Sequence, residues 1–228
     1  MRFFALLKKE LRECLPWMAT AAAILLLFGS LKLIDSKQRQ IGYQYRVFER
    51  YSEVGGYELL TRPISDFSIF VFMSAVGLGL ALGVRQFWAD DFMGTWGFSV
   101  HRSTHRTTIL AAKICAGLIS IVAIGLVWCY LFWRANSSGY FVFPLPERCF
   151  IGGWLICGMG LLFYLGATLV GLSKTRWYTT KLMGLGFALW MFITLTQQWT
   201  LWWGFGTLVI GTIVLLFLIC EAFLNREF

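Results

Sequence analysis

The chain has few charged residues for a protein of its length. Charged residues make up 14% and hydrophobic residues 58% of the 228 residues, whereas soluble proteins contain about 25% and roughly 45–50%. A soluble domain of this size could not bury so much apolar surface, so lipid must surround most of the chain. The sequence therefore predicts an all-α integral membrane protein, because helices satisfy their own backbone hydrogen bonds in hydrocarbon.

Ionisable residues are missing from most of the apolar segments. No Asp, Glu, Lys, Arg or His occurs in residues 67–84, 114–133, 150–172 or 182–220. Ion-coupled transporters and pumps use such groups inside the membrane as proton relays or ion ligands. Most intramembrane hydrolases need a histidine, a carboxylate pair or a set of metal ligands. If this chain moves a substrate, we therefore expect the energy to arrive from outside the membrane.

The sequence also lacks the motifs of nucleotide, metal and redox sites. The string nearest to a Walker A loop, residues 166–175, has Leu172 in the lysine position and no preceding strand, so no ATP site is expected. His101 and His105 have a helical ligand spacing but no third ligand nearby. The six cysteines form no C-x-x-C pair and are interpreted as small hydrophobes. We expect no catalytic residue, metal or cofactor on this chain.

Apolar windows of about 20 residues, enough to cross ~30 Å of hydrocarbon, predict six membrane spans. They lie near residues 16–34, 67–87, 108–133, 150–172, 181–198 and 201–223. Together they form a predicted six-helix transmembrane domain, residues 16–223, with a tail at 224–228. Whether the last two spans are full or re-entrant stays open, and the outer loop at 35–66 is a candidate for a short interfacial helix.

Residues 1–15 predict an amphipathic interfacial helix, here called the elbow helix. Apolar residues recur at helical spacing at Phe4, Leu7, Leu11, Cys14 and Leu15. The other face is assigned to Lys8, Lys9, Glu10, Arg12 and Glu13. We expect the apolar side to enter the acyl boundary and the lysines to meet anionic headgroups of the membrane lipids. The alternative is a simple topogenic flank to the first span.

The basic residues predict the orientation of the chain. The net charge of +8 is spread in short clusters rather than one patch, so nucleic acid is not an expected partner. Twelve of the 20 basic residues fall on one side of the spans, and most of the other eight lie in one long loop, which counts for less. Both termini are therefore predicted to be cytoplasmic, in a multi-pass protein of the cell membrane. Trp199, Trp202 and Trp203 would form an aromatic belt on the outer face.

A few residues inside the spans have more than one interpretation. Gly79 and Gly83 form a small-xxx-small pair, which allows close approach of helices either within the chain or at a dimer seam. Polar candidates for a substrate path are Ser74, Ser120, Thr168, Thr194, Thr196 and Gln197. The alternative to a role in the substrate path is that each of these side chains forms a hydrogen bond to the backbone of its own helix.

The predicted cytoplasmic loop, residues 88–107, has the most informative pattern. Acidic residues come first and basic residues last, which suits a short helix whose dipole is complemented. Its distinctive residues are Asp90, Asp91, Gly94, Thr95, Trp96, Phe98, Arg102 and Arg106, followed by Lys113 in the third span. Trp96 and Phe98 are unusual in a solvent loop, so we expect them to meet either lipid headgroups or a groove on a cytoplasmic partner.

In this loop the chain resembles the type-2 ABC transporter permeases. That family often has an acidic residue, Gly-Thr, an aromatic or aliphatic pair, an Arg-Pro-x-x-Arg-like turn and then a lysine in the third span. Here Asp90, Gly94-Thr95, Trp96, Phe98, Arg102, Arg106 and Lys113 follow the same order, with Ser103 at the proline position. The amphipathic start around Lys8, Lys9 and Arg12 is also similar to the elbow helix of that family.

The resemblance implies a permease subunit of an ATP-driven exporter. The loop would be a coupling helix that docks into a separate ATPase subunit, and that subunit would bind the ATP and magnesium. The implied coupling residues are Asp90, Asp91, Gly94, Thr95, Trp96, Phe98, Arg102 and Arg106. A second permease chain, identical or paralogous, would complete the path for a hydrophobic or amphipathic substrate. The alternatives are an ordinary topology-setting loop and a non-transporting scaffold subunit of a membrane complex.

Overall fold

The structure, a computed structural model, describes residues 2–49, 56–88, 106–137, 147–173, 182–196 and 201–224. Every element within these ranges is helical. The helices are α1 (Arg2–Glu49), α2 (Gly56–Gly83), α3 (Arg106–Asn136), α4 (Glu147–Leu172), α5 (Met183–Thr196) and α6 (Leu201–Leu224), with a π-helical turn at Val84–Trp88. The predicted all-helical class is confirmed for this part of the chain.

Five helical segments are long and apolar enough to cross a membrane. They are Phe3–Asp35, Ser68–Trp88, Thr107–Asn136, Cys149–Leu172 and Trp202–Leu224. Their length and composition fit a membrane-embedded protein. The helix at the predicted fifth span is shorter: α5 has 14 residues, which is about 21 Å at ~1.5 Å per residue.

The first helix is longer than the sequence pattern predicted. α1 continues for 48 residues, with Pro16 inside it, so the predicted elbow helix and first span are one continuous rod. Proline removes a backbone donor and often kinks a helix, but membrane helices tolerate it when neighbouring groups compensate. α1 also continues past the apolar segment to Glu49, and α2 begins at Gly56. Most of the region expected to be an outer loop is therefore helical.

The helices alternate in direction along the chain. α1, α3 and α5 run one way, and α2, α4 and α6 run the other way. Three helix pairs are antiparallel, as shown by the contacts Cys14–Gln86 and Phe28–Phe70 for α1 and α2, Gly117–Tyr164 and Trp128–Gly153 for α3 and α4, and Leu169–Gly184 and Gly166–Ala188 for α4 and α5. Two helix pairs are parallel, as shown by the contacts Gly79–Gly160 and Gly83–Ala167 for α2 and α4, and Gly158–Leu208 and Leu162–Gly211 for α4 and α6.

α4 is the central helix of the bundle. In its apolar segment 72% of the residues are buried, compared with 22% in the segments of α1 and α6, because α4 packs against α2, α3, α5 and α6. The glycine pair Gly79 and Gly83 faces α4, and a Cβ atom at Gly79 would collide with the backbone of Gly160. The structure thus places both glycines in helix packing within the chain.

Candidate functional site

A pair of oppositely charged side chains is buried between α1 and α3. The Lys113 ammonium lies 3.4 Å from the Glu10 carboxylate, and the two side chains are 7% and 8% exposed. Removing two charges from water costs several kcal/mol each. Such a pair persists only if further hydrogen bonds surround it, so its other partners matter.

The lysine also joins α3 to the end of α2. Lys113 Nζ donates a hydrogen bond to the backbone carbonyl of Gln86 at 2.9 Å, and it lies 5.6 Å from the centroid of the Phe87 ring. Both residues belong to the π-helical turn Val84–Trp88. The last carbonyls of a helix lack intrahelical partners, and a cation is favourable there. Lys113 therefore completes the end of the α2 helix.

Tyr164 on α4 connects the remaining groups. Its buried hydroxyl lies 2.7 Å from Gln86 Oε1, to which it donates, and 3.0 Å from the carbonyl oxygen of Lys113. The other end of the Gln86 amide donates to the Cys14 sulfur at 3.1 Å. We call the five residues Glu10, Cys14, Gln86, Lys113 and Tyr164 the polar clamp. It joins α1, the end of α2, α3 and α4 at one level of the bundle.

Gly117 provides the space for the tyrosine ring. A Cβ atom at this position on α3 would lie 2.6 Å from the Tyr164 hydroxyl oxygen and closer still to the ring. Any larger residue would displace the ring and with it the hydroxyl. The polar clamp therefore depends on a small residue one helical turn beyond Lys113.

A second, exposed ion-pair network lies beside the polar clamp. Glu13 is 3.8 Å from Arg85 and 3.7 Å from Lys9, and the Glu13 side chain is 40% exposed. Exposed pairs of this kind contribute about 0–1 kcal/mol. The exposed pairs of this network are screened by solvent, and the Glu10–Lys113 pair is buried, so the two can be compared directly.

The polar clamp holds both ends of the predicted coupling loop. Gln86 lies just before residues 88–107 and Lys113 shortly after them. The predicted coupling residues Asp90, Asp91, Gly94, Thr95, Trp96, Phe98 and Arg102 lie outside the described residues. Arg106, the last of the set, is the first residue of α3. Within the described residues, the polar clamp therefore joins the two helix ends that flank the predicted loop.

No family model, no curated protein and no solved structure matches the chain.

One assignment in the predicted elbow helix is wrong. The sequence pattern predicts Glu10 on the polar face, but only 6% of the residue is exposed. It lies on the same side of α1 as the buried residues Cys14, Ala21 and Leu25, because positions separated by four, seven and eleven residues share a helix face. An available signal was Lys113, a charge near the start of an apolar helix, which requires a partner when it is buried.

The other residues of the predicted elbow helix follow the predicted amphipathic pattern only in part, because Phe4 and Leu15 of the predicted apolar face are exposed. Phe4, Lys8, Lys9 and Arg12 are exposed, whereas Leu7 and Leu11 are half-buried against the core. Gln86 and Tyr164 were not singled out by the sequence, because both are uncharged and neither belongs to a recognisable motif.

The polar candidates for a substrate path mostly bond to their own helices. The hydroxyls of Ser120, Thr168 and Thr194 donate to backbone carbonyls three or four residues earlier, at 2.7–2.9 Å. Ser74 Oγ is buried and has no hydrogen-bond partner among the described residues. Gln197 lies outside the described residues, as does the side chain of Thr196. The candidates that the structure describes therefore do not define a substrate path.

Proposed function

We propose that this chain is the membrane subunit of an ATP-driven exporter similar to the type-2 ABC permeases. In this proposal the six helices cross the membrane six times with both termini in the cytoplasm. A separate ATPase subunit binds the loop at residues 88–107, and two permease chains form the path for a hydrophobic or amphipathic substrate. The proposal is supported mainly by the polar clamp, which fastens both ends of that loop to four helices.

The clamp explains how a displacement of the loop would reach the bundle. Lys113 contacts Glu10 on α1 and Gln86 at the end of α2, and Tyr164 on α4 contacts both Gln86 and Lys113. A push on either end of the loop would therefore move four helices together rather than bend one of them. Transmission of this kind requires a contiguous, rigid set of contacts.

The location of the charges also favours an external energy source. The buried Glu10–Lys113 pair lies near the starts of α1 and α3, at one end of the bundle. From residue 114 to 133 and from residue 150 to 172, α3 and α4 carry no charged side chain. The one buried pair that the described residues contain lies at one end of the bundle and provides no chain of proton acceptors across the membrane. Work delivered to the loop by ATP hydrolysis is therefore the better explanation.

Co-purification with an ATPase tests the proposal. The tagged chain is expected to retain a P-loop ATPase subunit whose ATP turnover depends on this chain. Replacing Trp96 and Phe98 by alanine should release that ATPase, because buried aromatic side chains anchor most interfaces. The control changes Trp202 and Trp203 to alanine. Trp202 and Trp203 are aromatic side chains that are 86% and 72% exposed, and they lie at the end of the bundle opposite the polar clamp.

Two results would contradict the proposal. One is unchanged ATPase association and ATP turnover after the Trp96→Ala and Phe98→Ala changes. The other is labelling of a cysteine introduced at Thr95 by a membrane-impermeant maleimide added outside intact cells. A partner complex that assembles normally but shows no ATP turnover dependent on this chain would instead favour the scaffold alternative.

A further inference from the structure

An open apolar groove runs between α1 and α3 on the surface of the bundle. It is lined on α1 by Leu15, Met18, Ala19 and Ala22 and on α3 by residues that include Ala123 and Val127, with a volume of 250 Å³. All of its lining side chains are apolar. The groove begins about one helical turn beyond Arg12, so it lies within the apolar segment Phe3–Asp35.

Two exposed basic side chains lie on the same side of α1 as the groove. Lys8 and Arg12 are both exposed. They precede Leu15, Ala19 and Ala22 at alternating intervals of four and three residues, a spacing that keeps side chains on one face of a helix. The basic groups therefore lie directly above the mouth of the groove, on the side toward the start of α1.

Within the described part of the chain, these two cations differ from their neighbours because no acidic side chain is paired with them. Lys9 is paired with Glu13, and so is Arg85, while the carboxylate of Glu10 is occupied by Lys113. Among the residues that the structure describes, no carboxylate forms an ion pair with Lys8 or Arg12. Their charge is available for an anion outside the protein.

We propose that this groove binds one anionic phospholipid of the surrounding membrane. One acyl chain occupies the apolar groove, and the phosphate lies between the Lys8 ammonium and the Arg12 guanidinium. Guanidinium groups bind phosphate oxygens in a bidentate manner, and an acyl chain matches a lining without polar groups. The bound lipid bridges α1 and α3 next to the polar clamp. This inference does not depend on the exporter proposal.

Native mass spectrometry of the purified protein in detergent tests the headgroup site. The probes are dioleoyl phosphatidylglycerol and dioleoyl phosphatidylcholine, which share the same acyl chains. We expect the anionic lipid to bind about 25-fold more tightly, a factor of about five for each basic side chain near the headgroup. The double variant Lys8→Gln/Arg12→Gln should lose this preference. Lys9→Gln should retain it, because Lys9 points about 100° away around the helix and is paired with Glu13.

The groove itself is tested by a filling substitution. Ala19→Leu should weaken binding of both lipids, whereas Ala111→Leu, at an exposed position on α3 outside the groove, should leave both unchanged. Equal binding of the two lipids by the unaltered protein would overturn the proposal, as would a loss of preference in Lys9→Gln equal to that of the double variant. If Ala19→Leu instead converts a dimer to a monomer, a second copy of the chain occupies the groove and the lipid assignment is wrong.

Discussion

α4 and α6 are both apolar helices of spanning length, yet they occupy opposite environments. In α4, glycines face α2, α5 and α6, and the one phenolic hydroxyl enters the polar clamp. In α6, several large side chains point out of the bundle: Trp202 is 86% and Phe217 is 69% exposed. Hydropathy alone would treat the two helices as equivalent. The central helix is distinguished by its small residues and not by its apolar ones. Apolar side chains do not favour the centre of the bundle, because they contact lipid tails as favourably as they contact another helix.

The same contrast exists between the two ion-pair networks at the start of α1. Glu10 and Lys113 are buried in the polar clamp, while Glu13 lies in exposed pairs three residues away. Burial should make the first pair far more sensitive to substitution than the second. If position relative to the central helix decides the effect of a change, rather than residue type, the same substitution should have different effects at buried and exposed positions.

The largest effect is expected from breaking the buried pair. Glu10→Gln leaves the Lys113 ammonium buried without a counter-charge, so the free energy of unfolding should fall by about 3–5 kcal/mol. The measurement is unfolding in mixed micelles with increasing denaturing detergent. Glu13→Gln is the matched control and should change it by less than about 1 kcal/mol. The double variant Glu10→Gln/Lys113→Met should recover part of the loss. Equal effects of Glu10→Gln and Glu13→Gln would show that the pair is not buried.

A smaller effect is expected at the crossing of α2 and α4. A Cβ atom at Gly160 would lie 2.6 Å from the carbonyl oxygen of Ala75, so Gly160→Ala must separate two backbones. The expected loss is about 1–3 kcal/mol in the same unfolding measurement. At Gly206 on α6 no atom of the described residues lies within 4 Å of the added atom, and Gly206→Ala should be neutral or slightly stabilising. If Gly160→Ala is as stable as Gly206→Ala, then α4 does not lie at the centre of the bundle.

The fold class could be predicted from the sequence because hydrocarbon thickness sets the length of each apolar segment. The continuity of α1 could not be predicted, because Pro16 and the change from polar to apolar residues both suggest a boundary there. The polar clamp could not be predicted from the sequence either. Gln86 and Tyr164 are separated by 78 residues, and their hydrogen bond exists only because α2 and α4 are adjacent. Lys113 gave a partial signal, since a buried cation requires an acceptor.

Loss of the tyrosine hydroxyl should have an effect of intermediate size. Tyr164→Phe leaves Gln86 Oε1 buried without a donor, which should cost on the order of 1–2 kcal/mol, within the range for an unsatisfied buried acceptor. Tyr130→Phe on α3 is the control, because Tyr130 is 53% exposed and should tolerate the change. A Tyr164→Phe/Gln86→Leu variant that is more stable than Tyr164→Phe alone would confirm that the unsatisfied amide causes the loss. If Tyr164→Phe is as stable as the unaltered protein, the clamp does not extend to α4.

The smallest effect is expected on the outer face of α6. Phe217→Ala removes a side chain whose surface is mostly outside the bundle, and lipid or detergent replaces it at little cost, so stability should change by less than about 0.5 kcal/mol. Leu215, two residues earlier, is fully buried, and Leu215→Ala should cost about 2–5 kcal/mol. Thermal unfolding of both variants is measured in micelles, and light scattering gives the mass of each particle. Together the two measurements show whether the exposed face of α6 contacts lipid or a second copy of the chain. If Phe217→Ala lowers the mass of the particle together with its stability, the exposed face of α6 contacts a second copy rather than lipid. In that case α4 packs against helices of its own chain, whereas the exposed face of α6 packs against another chain.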